Sequence, residues 1–177
     1  MIYVVIILVV LLLLCFILYN RIIKLKLRCE NAWASIDNQL KRRNDLIPNL
    51  VEVTKGYAKY ECETLVELTK VRTNNISEES SKSDKISKNI NKIFAVAEAY
   101  PDLKASELYK NLQLELIGTE DKIAYARQFY NDCVQYFNTQ IMIFPNNIFA
   151  KALKFTPYEY FKVNDNEKEN VSISLWY

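Results

Sequence analysis

The first nineteen residues carry no charge, and after the initiator they read IYVVIILVVLLLLCFILY. A helix rises about 1.5 Å per residue, so a hydrocarbon core of about 30 Å takes roughly 20 apolar residues to cross. Ile2 to Tyr19 meets that requirement narrowly and predicts a single transmembrane helix over residues 1–20. Leu, Ile, Val and Phe near the centre of a span each favour insertion by about 0.3–0.6 kcal/mol, which sums to about 5–8 kcal/mol here. Every face of the run is equally apolar, unlike the one-sided core helix of a soluble domain. A cleaved signal peptide fits poorly, because no basic stretch precedes the run and no small-residue cleavage site follows it. Cys15 follows Leu14, where a lipidation signal carries a small residue, so it reads as a membrane-embedded small hydrophobe.

Arg21, Lys24, Lys26 and Arg28 follow the run directly, and only the α-amino group is cationic on its other side. The positive-inside rule then places residues 20 onward in the cytoplasm of a cell whose inner membrane the helix crosses, with the N-terminus outside. Four juxtamembrane cations also suit anionic lipid headgroups, at about 1 kcal/mol each. A plain topology signal accounts for them equally. The span has no small-xxx-small pattern to drive association within the membrane.

About 158 residues follow the anchor, enough for one domain with a core. Net charge is +2, and much of the excess lies beside the span, so no nucleic-acid partner is expected. Two glycines and four prolines cannot supply the closely spaced turns that sheets need, which predicts an all-α domain. The chain has no histidine, which removes the commonest general base, His-dependent nucleophiles and histidine metal ligands together. Cys15, Cys29, Cys62 and Cys133 are not paired at metal-ligand spacing and would be reduced in a cytoplasmic domain. No glycine loop is present to cradle a phosphate. No cofactor, metal or catalytic residue is therefore expected.

Apolar steps of three and four residues mark the helices. The first stripe runs Cys29, Ala32 and Trp33, Ile36, Leu40, Ile47, Leu50 and Val51, Thr54, with Arg43 or Asn44 facing inward at its one polar step. Pro48 lies within it. The stripe crosses Pro48 in phase, which favours one kinked helix over 21–59, while a turn capped by Asp45 is the alternative. Further helices are expected at 61–75, 85–99 and 103–143, with a serine-rich surface loop at 74–84 and a stop at Pro101. The last stripe includes Ala105, Leu108, Leu112, Leu116, Thr119, Ile123, Ala126, Tyr130, Cys133, Val134, Phe137, Ile141 and Phe144, near a heptad seam. The apolar groups from Ile148 to Phe161 should pack across an end of the bundle. The expected layout is an anchor at 1–20, an antiparallel four-helix-type bundle at 21–163 and a disordered tail at 164–177 that ends in SLWY.

Several strings are more specific than periodicity. Trp33 to Tyr57 reads WASIDNQLKRRNDLIPNLVEVTKGY, followed by AVAEAYPDLKAS from Ala95, ELIGTEDKIAYARQFYND from Glu115 and FPNN from Phe144. With the apolar span and the YNRIIKL after it, the order of these blocks resembles the bacterial LemA family over residues 1–163. The resemblance implies a single-pass membrane protein with its N-terminus outside and a cytoplasmic helical bundle. The family also looks related to a magnetosome membrane protein, which hints at membrane organisation. It carries no catalytic residue over to this chain.

Polar residues beside the stripes are the candidate inter-helix network or interaction surface: Asp37, Arg43, Asn44, Asp45, Asn49, Tyr125, Arg127, Gln128 and Asn131. Buried, such groups need partners, or each costs about 1–3 kcal/mol. Arg43 and Asp45 are expected to meet Arg127, Gln128 and Asn131. The leading expectation is a non-catalytic scaffold with the bilayer and a protein as partners. A membrane-organising homo-oligomer is one alternative. An enzyme built on carboxylates such as Asp37, Asp45, Glu115 and Asp121 is the other, and it would need two of them converging in a pocket.

Overall fold

A computed structural model of the protein describes residues 1–56 and 76–162. Its elements are α1 (Ile2–Lys55), α2 (Ile76–Ala97), α3 (Pro101–Ala105), α4 (Glu107–Met142) and α5 (Asn146–Ala152). The fold is all-α, with no strand among the described residues. The expected helix at 61–75, Cys62, and the tail with its SLWY lie outside them.

α1 runs 54 residues without a break, so the apolar span and the first amphipathic helix are one element. Pro48 sits inside it. The amide hydrogen that proline lacks would have bonded to the carbonyl of Asn44, and both residues lie on the exposed face, where water takes that carbonyl. The chain divides into two units, Met1–Gln39 with Lys122–Tyr160, and Leu40–Asp121 with the chain from Phe161.

In the first unit, Met1 to Leu14 are exposed throughout, and packing begins at Ile22. Ile22, Cys29, Ala32 and Ile36 of α1 are buried, as are Ile123, Ala126, Tyr130, Cys133, Val134, Phe137 and Ile141 of α4. The two helices run antiparallel: Trp33 meets Tyr130 edge-on at 5.4 Å, and Arg21 reaches Tyr136. After α5 the chain returns along α4. Phe155 and Tyr158 pack edge-on against Phe137 at 6.4 and 5.3 Å. The amide of Asn138 donates to the Tyr158 carbonyl, and the Tyr158 N–H donates back to it, both at 2.9 Å. This segment does pack, but Phe144, Ile148 and Leu153 stay exposed.

The second unit has its core between Ile47, Leu50 and Val51 of α1, Ile86, Ile90, Ile93 and Ala97 of α2, Leu103 of α3, and Tyr109, Leu112 and Leu116 of α4. Two boundaries differ from the sequence reading. The expected helix at 103–143 is two, because Ser106 is extended (φ −61°, ψ 125°). Its hydroxyl accepts from the Tyr109 N–H at 3.5 Å, the N-cap geometry for α4. The break shifts the register, so Tyr109 is buried while Ala105 and Leu108 are exposed. The serine-rich stretch expected as a loop at 74–84 is helical from Ile76, with Ser80, Ser83 and Asp84 buried.

Candidate functional site

Arg43 is the side chain that fills the single polar step of the α1 stripe, and Asn44 is exposed. An arginine with 1% exposure needs a counter-charge and acceptors for its fork of donors. Its Nη1 lies 3.3 Å from Glu120 Oε1, from Ser87 Oγ and from the Ser83 carbonyl. Ser87 Oγ is 2.5 Å from the other Glu120 oxygen and 3.1 Å from the Ser83 carbonyl. Serines at 80, 83 and 87 share one face of α2, three and four residues apart. That face carries the polar contacts, and its Ser80 hydroxyl donates to the Lys162 carbonyl. The buried hydroxyls of Thr54 and Thr119 are satisfied within their own helices, by Leu50 O at 2.9 Å and Glu115 O at 2.7 Å. This cluster joins α1, α2 and α4 through charge and hydrogen bonds.

Glu120, from the same unit, is thus a partner of Arg43. The expected partners Arg127, Gln128 and Asn131 belong to the other unit. Asp37, Asn44, Asp45, Asn49, Tyr125 and Gln128 are exposed, and Arg127 and Asn131 are half-buried. Ser83, Ser87 and Glu120 were not singled out from the sequence. The helical spacing of the serines is the signal for them in the sequence.

Arg21 and Lys24, two of the four cations that follow the apolar run, line a second feature. A groove of about 420 Å³ lies at the end of the apolar span, with Phe16, Ile17 and Leu25 as its apolar wall and Asn20, Arg21, Lys24 and Tyr136 as its polar one. Arg21 Nη2 donates to the Tyr136 hydroxyl at 3.4 Å. Arg28 lies over the Phe129 ring at 5.6 Å, a cation–π contact. Lys26 pairs with Glu30 at 3.7 Å. Cations therefore lie over an apolar wall at the end of a helix segment long and apolar enough to cross a membrane.

Above the groove, Cys29 and Cys133 are buried packing residues, as their stripes predict. Burial pushes the Cys29 thiol up to about 11, with Cys133 and Glu30 adding to it. Burial likewise pushes Tyr130 to about 12 and, with Glu30 beside it, Tyr158 to about 12. Both phenols therefore stay protonated at neutral pH and act as donors, Tyr130 to the Glu159 carbonyl at 3.0 Å and Tyr158 to Glu30 at 3.2 Å. Among the described residues, no three Cys, Asp or Glu side chains group closely enough to hold a metal ion.

The model of the LemA family matches residues 32–175. The chain belongs to the LemA family. A protein LemA of Metamycoplasma hominis is 29% identical to this LemA-family chain over 161 residues, covering 88% of it and 74% of that relative. Magnetosome protein MamQ 2 of Paramagnetospirillum magneticum is 23% identical over 175 residues, covering 81% of this chain and 64% of that protein. A magnetosome protein MamQ of Magnetospirillum gryphiswaldense is 29% identical over 72 residues, covering 41% and 26%. None of these names carries a catalytic activity.

Proposed function

We propose that this LemA-family chain is a membrane-anchored, non-catalytic interaction module. α1 would span the membrane with its N-terminus outside, and the helices from residue 21 onward would present a protein-binding surface at the cytoplasmic face. The observation that carries this reading is α1 itself. One helix runs unbroken from an apolar span that none of the described residues covers into a packed helical core. Arg21, Lys24, Lys26 and Arg28 support the orientation. The exposure of Asp37, Asn44, Asp45, Asn49, Tyr125 and Gln128 supports an accessible polar surface rather than a buried network at those positions.

Gln128→Cys in a Cys62→Ser background tests the topology with a membrane-impermeant maleimide. Labelling only after permeabilisation is expected, and labelling in intact cells overturns the orientation. Crosslinking in the native membrane tests the function, with reproducible capture of one other protein as the expected result. The second reading is a self-assembling protein that organises membrane, favoured by the likeness to magnetosome proteins. Capture of its own copies alone would select it.

A further inference from the structure

The exposed apolar turn between α4 and α5 lies level with the end of the apolar run of α1. Trp33 and Tyr130 are in ring contact, so they mark one height on the antiparallel α1 and α4. Counting fourteen residues back from Trp33 reaches Tyr19, the end of the apolar run, and fourteen on from Tyr130 reaches Phe144. Each path is about 21 Å of helical rise, to within the turn that follows Met142. Arg21 bonded to Tyr136 and the complete burial of Ile22 agree that packing between the two helices extends down to the span.

At that level the turn presents Phe144 with 78% exposure, Met142 with 66% and Ile148 with 57%. Residues 133–150 hold no charged side chain, and the first cations beyond them are Lys151 and Lys154, both exposed. An apolar patch rimmed by cations, beside a membrane span, is the surface of an element that lies in the headgroup and acyl boundary.

We propose that the α4–α5 turn is a second membrane contact, with Met142, Phe144 and Ile148 seated in the bilayer next to the anchor. The occupant of this patch is the phospholipid of the same membrane that α1 crosses. The inference rests on α1 spanning the bilayer, and it is independent of which end faces the cytoplasm. It attaches the first unit at two points, so the base of the first unit faces lipid rather than a soluble partner.

The test places the photoreactive residue p-benzoylphenylalanine at Phe144, Phe16 or Tyr125, one position at a time. The full chain is reconstituted in vesicles of phosphatidylcholine and phosphatidylglycerol. All three positions are exposed, so the core is untouched. Phospholipid adducts, read by mass, are expected at positions 16 and 144 and not at 125, which lies about 28 Å up α4 from the turn. An adduct at 16 alone overturns the second contact and leaves the anchor standing. No adduct at 16 overturns the anchor, and the second contact with it. Capture of another copy of the chain at 144 also overturns the proposal, assigning the turn to self-association.

Discussion

Replacing Arg43 by Met keeps the length of the side chain's stem and removes the guanidinium. Glu120 and Ser87 then lose their cation, and the carboxylate stays where the fold holds it. Breaking a buried ion pair from one side costs about 3–5 kcal/mol. Arg43 is 1% exposed but the Glu120 side chain is 28% exposed, so water can approach the orphaned carboxylate. The lower end, about 3 kcal/mol, is expected. In a chain of this size each kcal/mol moves Tm by about 2–4 °C, so the fall should be about 6–12 °C. The assay is thermal unfolding of the full chain in detergent micelles, followed by far-ultraviolet circular dichroism. Glu120→Leu and the double variant complete a cycle. With both charges replaced by apolar groups the desolvation cost vanishes, so Arg43→Met with Glu120→Leu should recover most of the loss. If Arg43→Met lies within about 0.5 kcal/mol of wild type, or the two changes are additive, the pair does not hold the helices and the argument fails.

Gly118 sits inside α4 with nothing within 4 Å of where a Cβ would be, so Gly118→Ala should stabilise the chain by about 0.5–1 kcal/mol, read as a higher unfolding midpoint in urea. Cys29 is raised from 9.0 to about 11 by burial, so between those values the folded chain keeps a proton that the unfolded chain has lost. Stability is complete below pH 9 and falls as pH rises through about 11, and Cys29→Ala should flatten the first part of the fall of Tm with pH. A Tm that is flat over that window in the wild type would refute the assignment.

What local chemistry dictates was legible in the residues. The apolar run, the inward stripe of α1 and most of the α4 stripe follow from hydropathy and the 3.6-residue period, which need no knowledge of a partner. The stripe even marked position 43 or 44 as a polar step. It could not say that Arg43 turns inward to Glu120, seventy-seven residues away. That choice depends on which helices meet, and a periodic pattern carries no such information. The serines of α2 failed as a signal for the same reason. Serine favours turns when its hydroxyl bonds the local backbone, and becomes a core residue when a neighbouring helix offers an arginine and a carboxylate. Ser106 was a smaller case, since an N-cap is a three-residue geometry that hydropathy does not register.

Hydropathy, helical period and ordered motifs are properties of the chain alone, and they were enough for an all-α fold, an apolar run long enough to cross a membrane and the LemA family. The folded chain brings Arg43, Ser87 and Glu120 into one site and returns Phe144 to the level of Tyr19. Both follow from antiparallel packing, which brings together residues that the chain keeps far apart.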